Sequence, residues 1–221
     1  MMIILFIFIL LTITPKAYAE TLQNGNYSID SYGINLQNKA SKQTSSVETH
    51  LPGVFVHLEG EAPFTFSLSS LFVNFGELSP TNPTTRTSKV TIVPSSTVGY
   101  SLQVLEEKEL VSPHGSIIPD TTCDSGACNA HSSATWESLL SFGLGYRCDN
   151  IQGGACVNDF QNTMLFKALA NKAKGQLPVV VMESQDNKKS IGEITYKVNI
   201  STTKDIGTYK NKINYIAIPN F

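Results

Sequence analysis

Asp124-Ser125-Gly126 is the stretch that most invites a catalytic reading, because it matches the centre of the serine-protease motif GDSGG. A serine nucleophile needs a base within hydrogen-bond reach and a third group to orient that base. Here the second glycine and an Ala-Ala-His-Cys partner motif are missing, and the tripeptide lies inside the short loop between Cys123 and Cys128. A polar turn is the better reading. The nucleophile elbow G-x-S-x-G is absent, as are phosphate-loop and dinucleotide glycines.

The histidines fare no better. His50, His57, His114 and His131 never lie two or four residues apart, so neither a His-x-His nor a metalloprotease pattern exists. His57 alternates with Val56 and Leu58, which puts it on the polar side of a strand. The others read as surface residues. Asp120, Asp124, Asp149 and Asp159 surround the cysteines without the D-x-D-x-D-G spacing of a calcium loop, and a solvated loop is the favoured reading. Glu106, Glu107 and Glu109 read as a solubilising charge cluster at a strand end. No catalytic residue, cofactor or metal site is assigned, and the chain is read as non-enzymatic. Trp136, the one tryptophan, is read as core ahead of a sugar platform.

Cysteine chemistry is more informative. An even number of cysteines in an exported chain reads as disulfides, and four cysteines allow three connectivities. The local pairs Cys123–Cys128 and Cys148–Cys156 are preferred, since Gly126 in one segment and Gly153 and Gly154 in the other allow tight turns. Such short loops are expected to contribute roughly 2–3 kcal/mol each and mainly to pin loops. The rival is zinc, whose paired ligands are usually separated by two to four residues; the second pair is too wide for that.

Export itself is read from residues 1–19. An apolar run over residues 1–11, continued by Ile13 and broken by Pro15, leads to Ala17-Tyr18-Ala19. A run this short ending in A-x-A reads as a secretory signal and not a spanning helix, although no Lys or Arg precedes it. No second run reaches membrane length, so no membrane span is expected after cleavage. The chain is 15% charged and 41% apolar, with a formal charge of −2 and no basic cluster. That composition argues against nucleic-acid binding and against disorder.

The elements that must carry these residues are strands. Phe64-Thr65-Phe66-Ser67-Leu68-Ser69 alternates cleanly, and Leu71, Val73 and Phe75 form a second set. Val90 and Ile92 mark a third, and Tyr100, Leu102 and Val104 a fourth. Residues 177–182 are continuously apolar and are expected to be buried on both sides. Ile194, Tyr196, Val198 and Ile200 share one face, as do Tyr209, Ile213 and Tyr215. The short 201–207 connection suggests that 193–200 and 208–218 pair as a hairpin. Residues 160–173 have helix-forming composition but poor 3.6 periodicity, so no more than a helical turn is expected there. Short strands punctuated by Ser, Thr, Asn, Gly and Pro clusters predict an all-β, antiparallel Ig-like or Greek-key sandwich over 60–221. Residues 20–59 read as an N-terminal strand and a flexible segment. Residues 106–175 read as a disulfide-pinned loop insertion at one end, with Trp136, Tyr146 and Phe160 as candidate ligand contacts that could equally be core.

A resemblance adds to this. The series Ile118-Pro119-Asp120-Thr121-Thr122-Cys123-Asp124, Cys128, Trp136, Gly143-Leu144-Gly145-Tyr146, Val180-Val181-Met182, Tyr196-Lys197-Val198-Asn199-Ile200 and Gly207-Thr208-Tyr209 resembles a family of exported proteins of uncultured bacteria. It spans roughly residues 60–221 and implies no particular activity. The ending Gly207-x-Tyr209-x-x-x-Ile213-x-Tyr215 is similar to the last strand of spore-coat-U-type secreted pilin domains. Phe75-Gly76-Glu77-Leu78, followed by Val90-Thr91-Ile92 and Tyr100-Ser101-Leu102, is similar to WxL-type cell-wall-binding domains. Both resemblances imply non-enzymatic β-sandwiches on bacterial surfaces. The expected role is a secreted or cell-surface structural or adhesive protein, whose partners are cell-envelope proteins, glycans or copies of itself. Glycan binding and pilin-like strand exchange stand as the alternatives.

Overall fold

The computed structural model describes residues 27–34, 64–94 and 99–220, with the backbone alone for 27–34. The signal segment, His50, His57 and the expected strand at Val54, Val56 and Leu58 lie outside the described residues. Those described form strands β1 (Tyr27–Ile34), β2 (Thr65–Leu68), β3 (Phe72–Asn74), β4 (Thr84–Val93), β5 (Tyr100–Glu106), β6 (Leu110–Val111), β7 (Ile117–Ile118), β8 (Ala134–Thr135), β9 (Gly143–Gln152), β10 (Leu165–Phe166), β11 (Val179–Ser184), β12 (Ser190–Asn199) and β13 (Tyr209–Pro219). Two 3-10 turns, Asn158–Phe160 and Lys172–Lys174, are the helical content of the 160–173 region. Among the described residues no helix is long and apolar enough to cross a membrane.

The fold is an all-β sandwich. A larger sheet runs β11-β5-β13-β1-β3, with β6 and β7 appended beside β13, and a smaller sheet runs β2-β4-β12-β9. Named pairs within the sheets are antiparallel except β1 with β13, which run parallel. Period-two burial explains the layering. Ile194, Tyr196 and Val198 of β12 and Tyr209, Ile213, Tyr215 and Ala217 of β13 are all buried. They meet Val90 and Ile92 of β4 and Leu102 and Val104 of β5 in one core.

The expected hairpin between 193–200 and 208–218 does not form. β12 pairs with β4 and β9, whereas β13 pairs with β5 and β1 in the opposite sheet. Both strands turn an apolar stripe toward the same interior, and the hydroxyls of Tyr196 and Tyr215 hydrogen-bond across it. The 200–208 connection therefore crosses the end of the sandwich. Tyr209 pins that crossing by donating its hydroxyl to the Asp205 carbonyl at 2.8 Å, the local kind of Tyr-to-backbone bond that fixes corners in other sandwiches.

Two further expectations are corrected. Residues 177–182 are not buried on both sides, since β11 is an edge strand and Leu177 is 79% exposed. An irregularity between Val180 and Met182 turns both Val181 and Met182 inward. Nor is 106–175 a simple loop insertion. At its middle lies β9, an integral strand paired along its length with β12.

Candidate functional site

The remainder of that stretch builds a third layer on the outer face of the smaller sheet. The β8–β10 ribbon and the Cys123–Cys128 disulfide enclose a small core of Trp136 and Phe166, with Ala134 packed against it. Trp136 lies edge-on to Phe166, with ring centroids 5.5 Å apart. Lys197, on the outward parity of β12, lays its ammonium 4.7 Å from the Trp136 ring centre and donates to the Trp136 carbonyl at 2.6 Å. Burial pulls the Lys197 ammonium below the usual lysine range, against the opposing pull of Asp124 and Glu137. The free edge of β9 is covered in the same way: Tyr146 and Lys167 exchange backbone hydrogen bonds at 2.9 Å in both directions.

Gly143-Leu144-Gly145-Tyr146 acquires a physical reason here. Gly143 has φ +126, and a Cβ on it would lie 2.6 Å from Thr121 N and 2.7 Å from Pro119 O. A Cβ on Gly145 would lie 2.9 Å from both the Trp136 ring and the Lys167 carbonyl. Gly145→Val is therefore expected to unseat the third layer and to destabilise by about 1–3 kcal/mol. Urea unfolding would measure the loss, and raised tryptophan quenching would report the displaced ring.

The three expected ligand contacts are not at the surface. Trp136 and Tyr146 are each 1% exposed and Phe160 is 8% exposed. Tyr146 shares the inward parity of Leu144 and Cys148, and packs edge-on to Phe160 at 5.8 Å. Their rings are core, which removes them as contacts. The large apolar side chains the third layer shows to solvent are Leu139, Leu140, Phe142 and Met164, at 50%, 82%, 37% and 47% exposure.

The loop carrying three of these is tied down on every side. The Asp124 carboxylate accepts from the N–H of Glu137 at 2.8 Å, the N–H of Ser138 at 3.1 Å and the Ser141 hydroxyl at 2.7 Å. Trp136 Nε1 donates to the Ser141 carbonyl at 2.9 Å, and Asn199 Nδ2 donates to the carbonyls of Leu139 and Ser141 at 3.0 and 2.8 Å. Desolvation pushes the Asp124 carboxyl up, but these hydrogen bonds outweigh it and hold the group below the usual carboxylate range. Asp124 is thus a loop brace, and Asp124-Ser125-Gly126 is the polar turn it resembled. Its neighbours are also engaged: Asp149 pairs with Arg147, Asp159 with Lys167, and Asp120 with Lys174 at 3.0 Å. His114 and His131 are exposed. Among the described residues no three His, Cys, Asp or Glu converge to hold a metal ion.

Both disulfides are the local pairs, Cys123–Cys128 and Cys148–Cys156. The second does more than pin a loop. Cys148 belongs to β9 of the smaller sheet, while residues 155–157 lie along β11 of the larger one, with Val157 N donating to Val181 O and Glu183 N to Ala155 O. This bond therefore staples one edge of the sandwich shut across its two sheets.

Sequence reasoning missed one group altogether. Glu106, read as part of a solvated charge cluster, is fully buried and accepts from the side-chain amides of Asn171 and Asn211. Comparison with protein-family models, with curated proteins and with solved structures finds no match to this chain.

Proposed function

We propose that this chain is an exported, non-enzymatic β-sandwich with a structural or adhesive role at the cell surface. The observation that carries the reading is the braced loop 137–142. Its backbone is held by Asp124, Trp136 and Asn199 while Leu139, Leu140 and Phe142 stand exposed. A loop already ordered loses little entropy on binding, and clustered apolar side chains on a rigid rim are the chemistry of a contact surface. Ile206, in the connection that follows β12, is also exposed, at 96%. The two disulfides favour an oxidising compartment.

The test replaces Leu139, Leu140 and Phe142 together by Ser. The variant is expected to fold as the parent does, with an unchanged far-ultraviolet spectrum, and to be retained on isolated cell envelopes about tenfold less, a loss of roughly 1.4 kcal/mol in binding. Equal retention overturns the reading. An array of cell-wall and host glycans run beside it separates a glycan-binding module from a protein-binding one.

One observation favours a second reading, a pilin-like subunit that polymerises by strand exchange. β1 enters the larger sheet between β13 and β3, and in sequence it stands 29 residues, 35–63, ahead of Phe64. A strand so far in sequence from its sheet partners can be supplied by a neighbouring copy. Light scattering after size exclusion over a range of concentrations decides this, because a strict monomer counts against it.

A further inference from the structure

Glu106 ends β5 at zero exposure. Its carboxyl is met by the Asn171 amide from the turn preceding Lys172–Lys174, by the Asn211 amide from β13, and by the Asp120 carboxyl from the segment after β7. None of these is a cation. Lys174 engages Asp120 instead, its ammonium bridging Asp120 Oδ2 at 3.0 Å and Glu109 Oε1 at 2.8 Å. Glu107 turns the other way and engages Lys172 and Asn214. Asp120 Oδ1 is buried and takes no amide or ammonium donor. Two carboxyl groups in contact away from water cannot both carry charge, and a carboxylic acid O–H is the donor this oxygen lacks.

We propose that Glu106 and Asp120 share one proton, and that the resulting carboxyl–carboxylate pair is a pH-operated latch. It holds the 169–176 arm and the 119–121 segment to the ends of β5 and β13. The backbone runs through the same joint: Glu106 N donates to Ala170 O, and Thr121 N donates to Leu144 O, both at 2.8 Å. Opening the pair therefore loosens the root of the third layer.

The direction of the pH effect follows. Burial, then the charge and hydrogen bond of Asp120, push the Glu106 carboxyl up to about 10, against the two Asn amides. Burial raises Asp120 as well, opposed first by the hydrogen bond with Glu106 and then by Lys174. A Glu106 released from the joint ionises near the ordinary value of about 4.3. The latch is thus fully effective below that value and weakens as pH climbs toward about 10, with the proton passing to hydroxide in bulk water.

Hydrogen exchange read by mass spectrometry, corrected for the intrinsic rate at each pH, tests this on the whole chain. Protection in peptides covering 119–121 and 169–176 is expected to fall about tenfold per pH unit between roughly pH 6 and pH 9, because opening there releases one proton. Protection is expected to stay level only at amides that exchange through local openings elsewhere, in which Glu106 keeps its proton. Glu106→Gln, which keeps a neutral donor, removes the pH dependence. The same slope in parent and variant overturns the latch. Should the variant fail to fold, infrared spectroscopy of the parent decides: the C=O stretch of a protonated carboxyl is expected at neutral pH and should vanish above about pH 10, and its absence at neutral pH overturns the proposal.

Discussion

A chain ended after Gly207 is expected to lose its fold entirely. The missing residues include β13, which lies between β5 and β1 in the larger sheet. With it go Tyr209, Ile213, Tyr215 and Ala217, all buried, and the hydroxyl of Tyr215 that meets Tyr196 from the other sheet. The remaining strands would keep one wall of the core and no partner for it. A single-residue version of the experiment gives a graded result. Ile213 is 0% exposed, and Ile213→Ala is expected to cost about 2–5 kcal/mol, combining lost burial with the cavity left behind. Urea unfolding should show the midpoint falling with little change in slope. A truncated chain that is still compact and protease-resistant would show that the larger sheet closes without its central strand.

The two disulfides are expected to differ in effect. Replacing Cys148 and Cys156 together by Ala removes the staple between β9 and the segment along β11, and should cost about 2–5 kcal/mol. The bond also packs into the core beside Gly192, on which a Cβ would lie 2.8 Å from Met182 Sδ and 3.2 Å from Cys156 Sγ. Replacing Cys123 and Cys128 should leave the two-sheet core intact and loosen the Trp136 layer alone, seen as a change in tryptophan emission at lower denaturant than global unfolding. Equal losses for the two pairs, or peptide maps joining residue 123 or 128 to 148 or 156, would contradict this picture.

The strands were legible because period two reports which face a residue occupies. Phe66 and Leu68, Tyr100 and Leu102, and Tyr196 and Val198 all stand on the side their alternation indicated. The same period is silent about which strand lies alongside, and that is why β12 and β13 were read as neighbours when they face each other. β9 was hidden by Gly143 and Gly145, residues that weaken a strand pattern and that the packing of Trp136 and of residues 119–121 requires. Glu106 was within reach. The parity of Tyr100, Leu102 and Val104 continues to position 106, and that of Tyr209 and Ile213 passes through Asn211, so both polar residues were marked as inward. Their charge and polarity outweighed their parity in the reading. The exposed Leu139 and Leu140 could not be told from core, because burial of a loop residue depends on what folds over it.

The parallel course of β1 and β13 has a mechanical meaning. Tension that enters before Tyr27 and leaves after Pro219 pulls the two strands along their axes in opposite directions. Over Tyr27–Ser31, before the register shifts toward Ile34, the pairing is regular, and its slanted hydrogen bonds are then sheared together. The register from Tyr27 opposite Tyr209 to Ile34 opposite Tyr215 is therefore the part of the sheet that would resist such a pull, and the first to rupture under enough of it. A pulling experiment through those two ends should record one high rupture force.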